Sequence, residues 1–190
     1  MNIREQVVYG VDIGLSGGIA GADFTIPMPV TRYEIKPVVL VLDLDSNKRK
    51  QYVKSGPNKG KVKYKQKTAA KYETKLDIYK LTEVFNNADI VAIEAQGTSF
   101  GNSAKSTRTT AFNAGIIHAV ATLSGAEVVY VAANKWKKDL GVSKDKLECV
   151  ELAEFLTGMS FRTKRNRLLD GEAEAMLIRH WYITTQTKGD

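Results

Sequence analysis

The chain has 190 residues, 43% of them apolar and 26% charged, a formal net charge of +7 and a single cysteine, Cys149. That length suffices for one domain with a proper core, and the composition is ordinary for a soluble globular protein. The apolar runs fall far short of a membrane span, no basic segment leads into an apolar one at the N-terminus, and one cysteine makes no internal disulfide; the expectation is a reducing, cytoplasmic setting with no membrane partner.

Residues 6–13 are predicted as a buried strand, followed by a tight turn at Gly14-Leu-Ser-Gly-Gly18. Ile19–Ile26 alternates weakly and fits a second strand, and Val38–Leu44 fits a third. Pro27, Pro29 and Pro37 break the chain between those two. Apolar spacing through Leu76, Tyr79, Leu81 and Val84 predicts a helix over Tyr72–Phe85. Ile90–Glu94 is the fourth strand, 96–108 a polar loop, Thr109–Leu123 a helix rich in small residues, and Glu127–Val131 the fifth strand. Ser143 is placed as cap of a helix over Lys144–Leu156, stopped by Gly158. Cys149 lies inside that helical pattern as ordinary packing. The basic run Arg162-Thr-Lys-Arg-Asn-Arg167 leads into a last helix, Gly171–Tyr182, capped by Asp170. A meander that turns into alternating strands and helices suggests an α/β fold: a mixed five-stranded sheet with helices on both faces, forming a single domain over 1–190 with a lysine-rich insertion at about 46–70.

Charge is unevenly distributed. Residues 47–75 hold eleven Lys/Arg and one acid, Glu73, a net of +10, so the remainder carries −3. Such a segment is the usual footprint of a nucleic-acid backbone contact, with Lys61, Lys63 and Lys65 as candidates. A solvated lysine loop is the alternative. Gly56-Pro-Asn-Lys-Gly60 marks a turn inside it.

Four carboxylates are spaced as if to meet: Asp12, Glu94, Asp170 and Glu174. Asp12 and Glu94 each end an apolar strand, where ligands of α/β sheets collect. Asp170 and Glu174 stand at i and i+4 and share a helix face, whereas Glu172 points elsewhere and is the weaker alternative for the fourth place. Acids at buried strand ends are costly to ionise without a cation. Taken together they suggest a divalent metal site with oxygen ligands; Mg²⁺ suits that set, and two metals would activate a water and stabilise the leaving oxygen of a phosphodiester. Singly, each acid is equally a cap or an ion-pair partner. His118 and His180 have no partner at ligand spacing and are expected to be structural.

Gly10-Val-Asp12-Ile-Gly-Leu-Ser-Gly-Gly18-Ile-Ala, Ile93-Glu94-Ala-Gln96 and Asp170-Gly-Glu-Ala-Glu174-Ala-Met-Leu-Ile resemble the three acidic motifs of RuvC-family Holliday junction resolvases, closest to the phage-type branch, over nearly the whole chain. The resemblance implies an RNase H-like fold, a homodimer, and cleavage of two opposing strands of a four-way DNA junction with Mg²⁺ or Mn²⁺, in the host cytoplasm if the source is viral. It further implies that Asp12, Glu94, Asp170 and Glu174 are the metal ligands, with the last pair spaced one residue wider than in typical bacterial members. Thr98–Arg108 resembles the loop that enters the junction, with Phe100 as its stacking aromatic and Lys105 and Arg108 beside it. A core position is the alternative for Phe100. Trp136-Lys-Lys138 and Ser143-Lys144-Asp-Lys146 resemble the segment after the fifth strand, whose basic residues hold phosphates or steady transition-state charge. This implies a catalytic role for Lys144, with Lys137, Lys138 and Lys146 on DNA; a solvated face is the alternative.

Three other functions are compatible with parts of the pattern. An RNase H-like enzyme cutting RNA–DNA hybrids would keep the fold and change the substrate. An actin- or sugar-kinase-like ATPase fragment would share the glycine turn, but the chain is short for two lobes. A non-catalytic junction-binding protein would gain nothing by setting four acids against DNA.

Overall fold

The computed structural model describes residues 6–35, 71–95 and 104–187. They form strands β1 (Val8–Val11), β2 (Gly18–Ala20), β3 (Thr25–Pro27), β4 (Val30–Ile35), β5 (Lys71–Leu76), β6 (Ile90–Ala95) and β7 (Glu127–Ala132). The helices are α1 (Ile78–Phe85), α2 (Ala104–Leu123), α3 (Ala133–Leu140), α4 (Lys146–Thr157) and α5 (Asp170–Gln186). By internal contacts the chain divides into two compact units, Met1–Thr31 with Lys75–Asp190, and Arg32–Thr74.

In the first unit a five-stranded sheet has the order β3-β2-β1-β6-β7. β1, β2 and β3 pair antiparallel, and β1, β6 and β7 pair parallel. This is the expected mixed five-stranded sheet. The second unit's described residues, 32–35 and 71–74, lie in β4 and β5, which pair with each other in a two-stranded sheet. No helix among the described residues is long and apolar enough to cross a membrane.

Strand alternation divides the apolar residues between two faces. Val8, Ile90 and Ala92 face one side, with Trp136 of α3, Cys149 and Val150 of α4, and Ala175, Leu177 and Ile178 of α5. Tyr9, Val11, Val91 and Ile93 face the other, with Leu81 and Phe85 of α1 and Ile117 and Val120 of α2. Helices therefore cover both faces, as predicted.

Several elements differ from expectation. The single strand expected over 19–26 is a hairpin, β2 and β3, because the chain reverses at Gly21, whose N–H donates to the Phe24 carbonyl. β3 lies at one edge of the five-stranded sheet; the strand expected over 38–44 lies outside the described residues. The predicted helix over 72–85 begins only at Ile78; Asp77 caps it, accepting from the Lys80 N–H, and 71–76 is strand. α2 starts earlier than predicted, at Ala104. α3 lies where no helix was expected; it is a short amphipathic helix around buried Trp136, stopped by Gly141 at φ 72°. Asp145, not Ser143, caps α4, accepting from the Leu147 N–H at 2.8 Å. Asp170 is the first residue of α5 rather than its cap, which is Leu169.

α5 lies close on β1. A Cβ at Gly10 would overlap the Ala175 carbonyl oxygen and come within 2.7 Å of the Arg179 nitrogen. Further along, Gly171 of α5 bridges to Gly17, and a Cβ on Gly171 would stand 2.5 Å from the Gly17 Cα. Gly10 on the strand, and the Gly17–Gly171 pair between the turn and the helix start, let the backbones touch. Replacing Gly10 by Ala pushes backbone against backbone, so G10A should lower unfolding free energy by about 2–3 kcal/mol. Urea denaturation checks this; an unchanged midpoint would show that α5 has slack over β1.

Candidate metal centre

Parity places the two strand-end acids. Val8 pairs with Ile90 and Val11 with Ile93, so one further step sets Asp12 beside Glu94. Asp12 shares the parity of Val8 and Gly10, and Glu94 that of Ile90 and Ala92, so both face α5. The close seat of α5 brings Glu174 onto the same spot. One carboxylate oxygen each from Asp12, Glu94 and Glu174 lies within 4.8 Å of the others. Glu172 turns away and accepts from the Thr25 hydroxyl at 3.1 Å, which leaves Glu174 as the inward glutamate.

Each acid has a protein partner. Asp12 Oδ1 accepts from the Gly14 N–H at 3.4 Å. Glu94, only 8% exposed, accepts from the Trp136 indole at 3.2 Å. Glu174 accepts from the Lys137 ammonium at 2.8 Å, with both side chains mostly buried. Asp170 is outside the group of three; it pairs with Lys146 at the more exposed rim.

The electrostatics reflect crowded like charges in a dry place. Burial first, then Glu174 and Glu94, pushes Asp12 up to about 7; the Gly14 N–H opposes this and Asp170 adds to it. Burial and Glu174 also raise Glu94, against the Trp136 bond and the Lys137 charge. Burial disfavours the Lys137 ammonium, but its bond to Glu174 and that acid's charge more than offset this, so its pKa is raised. The bond to Asp170 raises Lys146. Burial lifts the Cys149 thiol to about 11; its hydrogen bond to Glu174 adds to this, while Lys137 pulls the other way. Cys149 is thus packing that also touches the site.

With all three acids ionised, the carboxylates and the Lys137 ammonium leave two negative charges, which attract divalent cations. All-oxygen donors of this kind fit a hard cation such as Mg²⁺, Mn²⁺ or Ca²⁺.

The structure brings together Asp12, Glu94 and Glu174, with Asp170 at the rim. Lys137 and Lys146 join them, whereas Lys144 is exposed in the loop before α4 and no hydrogen bond or ion pair ties it to the acids. Lys138 is exposed on α3, and Arg108 is exposed on α2. Lys105 lies in the first turn of α2, its side chain not among those described, and Phe100, Lys61, Lys63 and Lys65 lie outside the described residues. Sequence reasoning missed the support given by Trp136 and Cys149. The only signal for it was i, i+1 adjacency of Trp136 to Lys137, with an indole that needs an acceptor when buried. His118 Nδ1 and the Tyr130 hydroxyl share a hydrogen bond at 3.2 Å, and the two rings stack; both are away from the acids.

Fold and site together define a mixed α/β domain in which acids from the ends of two central strands meet a glutamate of the last helix. Among solved structures the chain is similar to RuvC of Thermus thermophilus, with a TM-score of 0.51 at 15% identity over 95% of this chain and 97% of that one. A structure described as T. thermophilus RuvC in complex with Holliday junction substrate gives a TM-score of 0.52 at 13% identity, over 95% and 96%. The fold is therefore RuvC-like. No family model and no curated protein matches the sequence.

Metal-free stability should depend on Asp12. Folded Asp12 keeps its proton to about pH 7, while an unfolded aspartate releases it near 3.8, so the folded state binds more protons in between. The stabilisation is complete below about pH 4 and is lost as pH rises through about 7. In EDTA, D12N should match wild type near pH 4 and exceed it at pH 8 by up to about 4 kcal/mol, because each tenfold change in proton affinity is worth about 1.4 kcal/mol. Parallel pH profiles for the two proteins would contradict an Asp12 raised by burial and the neighbouring acids.

Proposed function

We propose that this chain is a divalent-metal-dependent endonuclease that resolves four-way DNA junctions and related branched DNA by paired nicks. The observation that carries the proposal is the Asp12–Glu94–Glu174 group, buried at the strand ends of a fold shared with a protein solved on a Holliday junction substrate. Asp12, Glu94 and Glu174, with Asp170 at the rim, hold Mg²⁺ or Mn²⁺, two ions per site. A bound divalent ion supplies Lewis-acid activation of a water and stabilises charge on the scissile phosphate. The chain's own groups do the rest. Trp136 fixes the rotamer of Glu94, and Lys137 holds Glu174 while offsetting its charge. Lys146 sits beside Asp170, able to face a phosphate oxygen. Lys144 steadies the charge of the transition state, Lys138, Lys105 and Arg108 contact the DNA backbone, and Phe100 stacks on an unpaired base. The lysine-rich segment, with Lys61, Lys63 and Lys65, adds a sequence-independent phosphate grip. Two copies related by a twofold axis put one site on each of two opposing strands. The chain works as one nuclease domain with that segment inserted at about 46–70, in the cytoplasm, as a phage-type enzyme.

An immobile, end-labelled four-way junction tests the reading. With Mg²⁺, wild type should give paired symmetric nicks, and D12N should bind but not cut. Intact junctions, forks and flaps with wild type would refute it, and cleavage of RNA–DNA hybrids alone would reassign the enzyme to hybrid hydrolysis. Trp136→Phe keeps an aromatic but removes the donor to Glu94. Such orienting partners are worth about 10–100-fold in metal affinity or activity, so the Mg²⁺ concentration for half-maximal cleavage should rise by that factor. An unchanged metal requirement would mean that the indole does not set Glu94.

A further inference from the structure

The segment between α4 and α5 contains a second, structurally fixed cation cluster. Residues 160–169 include four basic residues and no acid. They fold into a small hairpin. Arg162 bridges to Leu168, the Thr163 N–H donates to the Arg167 carbonyl at 2.9 Å, and the Leu169 N–H donates to the Phe161 carbonyl at 2.9 Å. Asn166 takes the turn at φ 60°, and its N–H donates to the Thr163 carbonyl at 2.8 Å. The Thr163 hydroxyl accepts from the Arg167 N–H at 3.0 Å.

The base of the hairpin is anchored. Phe161 is buried, and Glu154 of α4 accepts from both the Phe161 N–H at 3.0 Å and the Arg162 Nε at 3.3 Å. Arg162 is therefore spent inside the protein. Lys164, Arg165 and Arg167 are exposed, and no carboxylate of the described residues pairs with them. The hairpin thus orders a turn in order to present three cations to solvent.

Position gives the cluster a purpose. Leu169 is the N-cap of α5 and Asp170 its first residue, so the hairpin runs directly into the rim of the acid cluster. Arg167 and Asp170 are separated by at most about 10 Å of chain. That keeps the hairpin within a few base steps of the acids, at a rise of ~3.4 Å per step along the duplex axis. A site built of buried carboxylates repels a phosphodiester. The cations that touch those acids in the described residues, Lys137 and Lys146, are already engaged with Glu174 and Asp170. Free cations a few nucleotides away are needed to hold the strand.

We propose that the 161–169 hairpin is a clamp for the DNA strand flanking the cut, with Lys164, Arg165 and Arg167 on consecutive phosphates. This rests on the nuclease reading above and adds to it a phosphate contact made by residues other than the lysine-rich segment.

The test is binding of a fluorescein-labelled four-way junction to the full chain, with Ca²⁺ replacing Mg²⁺, across a series of KCl concentrations. Each lost phosphate contact lowers the slope of log K against log salt by about 0.9. Lys164→Gln, Arg165→Gln and Arg167→Gln combined should lower it by about two to three, and weaken all branched substrates alike. The charge-preserving pair Arg165→Lys and Arg167→Lys should restore most of the slope. Thermal midpoints should stay at the wild-type value, since these side chains are exposed. A triple variant that binds with the wild-type slope overturns the clamp while leaving the nuclease reading standing; the cluster would then serve a protein partner. A wild-type chain that neither binds nor nicks branched DNA overturns both.

Discussion

The close seat of α5 on β1 is the contact on which the site depends. Gly10 leaves no side chain between strand and helix, and Gly17 meets Gly171 at the helix start. The helix can therefore lie low enough for Glu174 to reach the acids at the ends of β1 and β6. A larger residue at either place would lift the helix and separate the three carboxylates. The apolar remainder of α5, Ala173, Ala175, Met176, Leu177 and Ile178, supplies the burial that holds this approach. Fold stability and site geometry therefore come from one interface.

That interface concentrates negative charge where water is scarce, and the protein offsets part of it. Lys137, buried with Glu174, acts as an internal cation. Removing one partner of such a pair leaves the other charge stranded. Trp136 gives Glu94 a fixed donor, and Lys146 screens Asp170. The remaining charge stays uncompensated, and burial together with that charge raises Asp12. A cluster arranged only for stability would have been neutralised or replaced by apolar packing. Retained charge at strand ends is what a hard cation requires.

Much of this was legible in the sequence, because the acids sit where two simple periodicities end. Strand parity sets Asp12 and Glu94 on one face, and the i, i+4 spacing of Asp170 and Glu174 marks the helix. Of that last pair only Glu174 reaches the group, since Asp170 at the first helical position is drawn to Lys146. Turns were harder. Gly21 to Phe24 folds a hairpin out of a stretch with continuous weak alternation, and Asp77 starts α1 after a strand whose residues also suit a helix. α3 was hard to see because its eight residues carry a single buried side chain, Trp136, and two helical turns are too short to stand out. The choice among lysines was equally out of reach: Lys144 and Lys146 are two residues apart, and only the Asp145 cap decides which of them begins the helix and meets Asp170.

The central claim is that the Asp12–Glu94–Glu174 group is a divalent cation site. Crystals of the full chain grown with Mn²⁺, with diffraction recorded at the manganese absorption edge, test it most directly. An anomalous peak among the carboxylates of Asp12, Glu94 and Glu174, absent in a D12N crystal, is the predicted result. Manganese bound elsewhere, with those three carboxylates held only by Trp136, Lys137 and the Gly14 N–H, would contradict it.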